Sequence, residues 1–382
     1  MNPSDRGRRH YLDHASTSPL RPQAAEAMVR WLRDPHGDPS RIHAEGMTAR
    51  VGVEQAREQV ADHFGARSRE VVFTSGATEA IVSAAWGAAD RGRRVVLSPV
   101  EHSAVREASK MFAERSGGDV VEVPVDHVGR VDSDAVAAAL DDDTALVHVQ
   151  WGNHEVGTLQ PIEAVVATCR ERGVLVHVDA AQANGHAPID FGALGADLVS
   201  VSAHKFGGPP GIGALLVRRG LRLQPLLVGG DQERARRAGF ENIPAIVGFG
   251  AACEALDRET LMTEIRDERR RTDAILSAAT EIEGVTAYGD VTRRLPHLVC
   301  LGVADIEPQA VLLGLDQAGI AAHSGSACSS EALEPSPVLE AMGVDAHRSL
   351  RISVGWNTTD DDVAAFVAAL PAVIGRLRQL AG

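Results

Sequence analysis

The sequence predicts an α/β protein: a large domain in which helices cover both faces of a mostly parallel sheet, joined to a smaller α/β domain. Two observations carry this. Short apolar runs alternate with helical patterns through the first two-thirds of the chain, as successive β–α units do. A length of 382 residues also suits two domains and can bury a substantial core without disulfides. In order, strands are predicted at 71–74, 94–97, 120–123, 145–150, 174–179, 198–202 and 213–217, with helices between them at 78–89, 104–114, 133–140 and 162–172. No helix is read between 179 and 197, so that crossover is short. From residue 246 the pattern changes to long helices that reach residue 281. A strand at 297–301, a helix at 309–317, a strand at 350–354 and a last helix at 361–380 follow, and Pro371 is expected to kink or divide that helix. The boundary falls near Leu256, giving a large domain of residues 15–255 and a small one of 1–14 with 256–382.

Charge narrows the partners. With 38 Lys+Arg against 52 Asp+Glu the formal net charge is −14, which argues against nucleic acid or an anionic membrane as a direct partner. The run Arg269-Arg270-Arg271 sits among acids and reads as a solvated helix face. The four cysteines, Cys169, Cys253, Cys300 and Cys328, form no CxxC pair and have no histidine cluster beside them, so neither a zinc site nor a disulfide framework is expected. The first residues lack the apolar stretch of a signal peptide, and no segment reads as apolar for long enough to span a bilayer, so a cytoplasmic protein with reduced thiols is expected. Lysine occurs only at Lys110 and Lys205; every other basic residue is arginine. A lysine amine can be desolvated and form an imine, which a guanidinium cannot.

In an open α/β sheet, ligands bind beyond the carboxyl ends of the strands. Ser75-Gly76-Ala77-Thr78-Glu79 lies at such an end, where small residues and a helix N-terminus suit a phosphate and Thr78 adds a hydroxyl. An ordinary helix cap reads the same way. His102, just after the next strand, can stack on a flat cofactor ring or simply serve as a hydrogen-bonded loop histidine. Asp179 ends its strand, with Gln182 three residues on; a carboxylate there suits a pyridinium nitrogen, and equally a helix N-cap. Ser202-Ala203-His204-Lys205 tips the balance. Ser202 and His204 can donate to the phosphate while Lys205 forms an imine with pyridoxal 5′-phosphate. Gly207–Gly213 precedes a strand rather than opening a helix, so it is not a dinucleotide loop.

The chain resembles the cysteine desulfurases of the NifS/IscS type, among the class-V aminotransferase-like, fold-type-I pyridoxal-phosphate enzymes. The likeness runs nearly end to end: Tyr11-Leu12-Asp13-His14-Ala15, residues 73–79, Glu101-His102, Glu155-Val156-Gly157-Thr158, residues 177–182, Ser202–Lys205 and Ser324-Gly325-Ser326-Ala327-Cys328. It implies conversion of L-cysteine to L-alanine with sulfur left on Cys328 as a persulfide, for delivery to a protein acceptor. It also implies a homodimer, binding of the substrate by Arg351 and Asn153, cofactor contacts from Ala77, Thr78, His102, His154, Asp179, Gln182, Ser202, His204 and Lys205, and proton movement by Lys205 and His102 near neutral pH. The desulfurase of DNA phosphorothioation is similar as well. Other readings are selenocysteine lysis, transamination (which needs no thiol) and a non-catalytic sulfur-relay scaffold. The chain departs from the family at Asn153-His154, where two asparagines are usual, and at Ile81. It departs again at Arg237-Ala238-Gly239-Phe240, where a threonine usually reaches the other subunit's phosphate.

Overall fold

A computed structural model describes residues 9–34, 37–325 and 335–381. The chain enters through β1 (His10–Tyr11). It then builds β2 (Val71–Thr74), β3 (Arg94–Leu97), β4 (Asp119–Glu122), β5 (Thr144–Gln150), β6 (Leu175–Asp179), β7 (Leu198–Ser202) and β8 (Gly213–Val217). These last seven form one sheet in the order β2-β8-β7-β6-β5-β3-β4. Only β8 runs against its neighbours, β2 and β7; the β3–β4, β3–β5, β5–β6 and β6–β7 pairs are parallel.

The apolar runs read from the sequence are strands buried on both faces, as parallel sheets require. Alternate residues of one strand enter different cores. Val72, Leu146 and Leu215 pack with the helices Ala77–Ala88 and Ser103–Ser116. Phe73, Val147 and Leu216 pack against the other layer, with Val53 and Val60 of Ala44–His63, Val165 of Ile162–Arg172 and Ile246 of Ile243–Ala255. The crossover after β6 contains only the single turn Phe191–Leu194.

The remaining strands are β9 (Val285–Tyr288), β10 (Leu298–Val303), β11 (Ile320–Ala321) and β12 (Ser349–Ser353). An antiparallel sheet β12-β10-β9 carries its own core with the helices Arg258–Thr280, Pro308–Gln317 and Asp360–Ala381. β1 pairs with β11 in parallel. Leu12 buries in this second core and Ala15, three residues later, in the first.

Two expectations change. Pro371 lies inside one helix, Asp360–Ala381, rather than dividing it. By length and a mean hydropathy of 1.4 the stretch Asp360–Leu380 is apolar enough to cross a bilayer, against the sequence reading. In the fold, its residues Phe366, Leu370, Val373 and Ile374 fill the second core. Two further helices are Pro22–Arg33, which Pro22 at its start and a one-sided apolar pattern announce, and Ala44–His63, whose weak pattern is interrupted by Gly46 and Gly52. Gly52 is there because a side chain would meet the Trp31 ring at 2.4 Å.

One buried ion pair braces the sheet edge. Arg57 reaches both oxygens of Glu233, at 2.6 and 2.7 Å, and also donates to Val71 O. Glu233 Oε2 accepts Phe73 N as well. Glu233, Arg234 and Ala235 have φ of 48°, 59° and 59°, a left-handed turn without glycine, which is costly for L-residues and is held by that pairing. Glu233→Ala is expected to destabilise the fold by about 3–5 kcal/mol, because it removes the bidentate partner of a buried guanidinium and leaves it only Val71 O and the half-exposed Glu54. Breaking the exposed Arg93–Asp143 pair should cost about 0–1 kcal/mol. Urea unfolding of both variants checks the contrast; equal losses would contradict it.

Candidate active site

Because β2, β3, β5, β6 and β7 point the same way, their carboxyl ends bring residues 75–79, 102, 150–154, 179–182 and 202–205 together. They enclose a cavity of about 380 Å³. Its wall includes all nine residues assigned to a cofactor: Ala77, Thr78, His102, His154, Asp179, Gln182, Ser202, His204 and Lys205. Gln150 and Gly152 join them from β5 and the loop after it, as do Ser75 and Gly76 before the helix and Pro210 and Gly211 before β8.

One end is the N-terminus of the helix Ala77–Ala88, where the first-turn N–H groups have no intrahelical partner. Gly76, the residue before the helix, has φ +154° and ψ −178°, which is glycine territory. Close approach demands glycine at position 213 too, since a Cβ there would lie 2.8 Å from Gly76 Cα. Glu79 fixes this loop by accepting Ser75 N at 2.8 Å while Arg237 grips both its oxygens, at 2.8 and 3.1 Å. Thus Arg237, noticed in the sequence only as part of a departure, braces the anion-binding end.

At the other end Lys205 Nζ donates to the carbonyls of Ala15, 2.6 Å, and Ser16, 3.0 Å. Burial lowers its pKa to about 8, with Arg351 adding to the effect and Asp13 and Asp179 opposing it. The amine is therefore partly neutral near physiological pH, as imine formation needs. Asp179 receives Ala181 N and Ser200 Oγ, both at 3.0 Å and both on Oδ1, leaving Oδ2 for a donor in the cavity. Burial raises its pKa; a cationic partner would bring it back down.

Several expectations need correction. Asn153 is fully buried and does not line the cavity. Its Nδ2 donates to Val100 O and its Oδ1 caps the N–H groups of Glu155 and Val156. The turn consumes the amide, so the structure does not support a substrate contact from it. His154 lines the cavity instead, with its buried Nδ1 unpartnered. His102 is the N-cap of Ser103–Ser116, Nδ1 accepting Ala104 N at 3.1 Å, and burial lowers its pKa to about 3. It is thus a neutral ring with its proton on Nε2, not a group titrating near pH 7. Burial likewise brings His204, 3.2 Å from Thr17 Oγ1, down to about 4.

Arg351 does not line the cavity either. Its guanidinium donates to His154 O, Ser16 Oγ and Asp13 Oδ1, so a carboxylate of the chain itself holds the group expected to take a substrate carboxylate. Cys328 lies outside the described residues. The chain before it is tied by Gly325 N to His323 Nδ1, 2.9 Å, and the chain after it by Ser336 Oγ to Glu155 Oε2, 2.5 Å. Cys169, Cys253 and Cys300 are buried, and burial raises all three thiol pKa values.

Glu101 is a group the sequence reading left without a role. Fully buried, it accepts Gln150 N at 2.9 Å and Ser98 Oγ at 3.2 Å on Oε1, while Oε2 has no partner. Burial first, and then the charge of Asp179, raise its pKa to about 8. Burial therefore favours its protonated form at neutral pH.

A family model described as aminotransferase class-V matches residues 10–366. The chain is 40% identical over 382 aligned residues to a cysteine desulfurase IscS of Dictyoglomus turgidum, covering 97% of this chain and 95% of the relative. Among solved structures it is similar to a NifS-like protein, with a TM-score of 0.90, 32% identity and coverage of 97% and 100%. A structure of SspA in complex with cysteine gives a TM-score of 0.77 at 30% identity, covering 90% of this chain and 98% of that one.

Glu101 generates a pH prediction. Its folded pKa, about 8, lies above the ordinary glutamate value of 4.5, so the folded state binds the extra proton. The stability it contributes is present below pH 4.5 and is lost as pH rises through about 8. Glu101→Gln keeps the acceptor for Gln150 N and is expected to flatten that decline. Denaturant midpoints measured from pH 5 to 9 in both proteins check it; identical slopes would contradict a protonated Glu101.

Proposed function

The chain belongs to the class-V aminotransferase family, and we propose that it is a pyridoxal-phosphate-dependent cysteine desulfurase that converts L-cysteine to L-alanine. The observation that carries the reading is Lys205, one of only two lysines, its amine desolvated in a cavity with the free Asp179 oxygen and a glycine-preceded helix N-terminus. The residues present fit the cofactor. The cavity volume suits a small ligand, the helix end suits its phosphate, and the orphaned His154 Nδ1 supports a polar contact from His154, not Asn153.

When bound, pyridoxal phosphate supplies an electron sink for charge developing at the substrate's Cα. The chain's own groups do the rest. Thr78, Ser202, His204 and the N–H groups of Ala77 and Thr78 hold the phosphate. Asp179 Oδ2 would hold the proton of the ring nitrogen. His102, neutral, would offer the ring a flat surface. Lys205 would hold the cofactor and move the Cα proton. Arg351 takes the substrate carboxylate by exchanging its internal partner Asp13 for it. The Cys328 thiolate attacks the substrate sulfur, so the Cβ–S bond breaks as an S–S bond forms. The sulfur atom passes to Cys328 as a persulfide, and the remaining carbons leave as alanine.

The persulfide requires a thiol or other sulfur acceptor on a partner protein, in keeping with the acidic chain, and a reducing compartment such as the cytoplasm. We read the two cores as a large and a small domain meeting along residues 12–15. A homodimer is supported by Leu227, Val228 and Phe240, exposed apolar residues on segments joined by Ala238 N to Leu227 O. The Phe240 side chain offers no hydrogen bond, so any phosphate contact from that position falls to its backbone N–H.

Lys205→Ala is expected to lose the visible absorbance of the cofactor-loaded protein after gel filtration, whereas Lys110→Ala, which removes an exposed pair with Glu107, keeps it. Retained absorbance in Lys205→Ala would contradict the assignment. Asp179→Asn should remain folded but shift the cofactor spectrum and slow turnover, by an amount equivalent to about 1.5–3 kcal/mol for a charged hydrogen bond. Parent kinetics in that variant would show that another group protonates the ring.

A further inference from the structure

Outside the cavity wall, three fully buried groups meet: His186, Glu268 of the helix Arg258–Thr280, and His297 just before β10. The two imidazoles stack 3.6 Å apart at 15°. Glu268 meets His186 Nδ1 at 2.9 and 3.0 Å, and His186 Nε2 lies 3.3 Å from the main-chain oxygen of Lys205. His297 Nε2 lies 3.1 Å from Gln182 Oε1, and Gln182 Nε2 donates to Ala15 O, the same carbonyl that receives Lys205 Nζ.

The three ligand atoms fall within 4.8 Å of one another, a spacing that could hold a metal ion. The stacking rules against it, because an imidazole binds metal in the plane of its ring and two parallel rings cannot both aim at one ion. The hydrogen bonds also fix the protons. A carbonyl oxygen only accepts, so His186 Nε2 carries hydrogen. Gln182 donates to Ala15 through its nitrogen, so its oxygen faces His297 and His297 Nε2 carries hydrogen too. His297 is therefore a neutral ring whose buried Nδ1 has no partner. An orphaned nitrogen in a core costs free energy, and a simple packing residue would avoid it.

We infer that His186, oriented by Glu268, and His297, acting through Gln182, are positioning residues for Lys205: one fixes its main-chain carbonyl, the other the Ala15 oxygen that receives its amine. The inference rests on Lys205 being the cofactor lysine. Carbonyl oxygens held in place favour the ammonium form, against the burial that lowers it. Around the amine Asp13 and Asp179 favour the charge, Arg351 opposes it, and His102, His204 and His297 feel it.

Trace acetylation of the cofactor-free protein across pH, read by mass spectrometry with Lys110 as internal reference, measures the Lys205 amine without any activity assay. His297→Leu is expected to lower its titration by about half a unit or more, and His297→Gln, which restores an N–H donor, to return it to the parent value. His186→Gln should keep the parent value. The double variant His186→Leu/Glu268→Leu, which leaves no unpaired buried acid, should shift it as His297→Leu does. Folded Leu variants that label like the parent would overturn the inference; if His297→Leu does not fold, the double variant decides. Visible spectra of the cofactor-loaded proteins separate the premises. A parent without a Lys205-dependent band defeats the cofactor reading, while the labelling still judges the network.

Discussion

The site depends on how a lysine amine is held inside the protein. Lys205 lies just beyond a buried strand, so its amine is pulled toward neutrality by burial and held by two main-chain carbonyls, Ala15 and Ser16. Those carbonyls belong to a segment laced to both halves of the molecule. Ser18 N bonds His204 O and Arg21 N bonds Gly207 O beside the large sheet, while Ala15 N bonds Ser353 Oγ and Ser353 N bonds Leu12 O on the small one. The oxygens that set the amine's protonation are thus fixed by both cores at once. A displacement of one core against the other would be felt at Lys205.

Carboxylates around the cavity are sorted by their surroundings. Glu101, with one oxygen unpartnered and Asp179 nearby, stays protonated. Asp179, with two donors and an open oxygen, can meet a cationic ring. Asp13 neutralises Arg351, and Glu79 is claimed by Arg237 and Ser75. Glu101 and Asp179 accept the same kinds of donor, a backbone N–H and a serine hydroxyl on one oxygen, and differ because Asp179 faces the cavity with the charge of Lys205 nearby.

Much of this was legible in the sequence, for identifiable reasons. Strands of a parallel sheet are continuous apolar runs, so β5, β6 and β7 stand out, and with them the residues that follow their carboxyl ends, Asp179 and Lys205 among them. The scarcity of lysine made Lys205 conspicuous. What escaped depends on contacts distant in sequence. The helix Ala44–His63 contains Gly52, whose reason is a tryptophan in the preceding helix. Asn153 is the exception: its amide oxygen closes a local turn with Glu155 N and Val156 N, a short-range contact that the resemblance to a ligand position masked. Arg351 looked free because its partner Asp13 is 338 residues away. The left-handed turn at Glu233 follows from Arg57, far upstream, and no local pattern announces it.

The central claim is that this cavity moves sulfur, and single-turnover reaction with L-cysteine tests it most directly. With the cofactor-loaded protein in excess, alanine should form stoichiometrically and alkylation with mass spectrometry should locate one added sulfur on Cys328. Cys328→Ser, whose hydroxyl is a far poorer nucleophile toward sulfur, should bind cofactor and L-cysteine yet release no alanine. Alanine at the parent rate from Cys328→Ser, or a persulfide on Cys169, Cys253 or Cys300, would contradict the account.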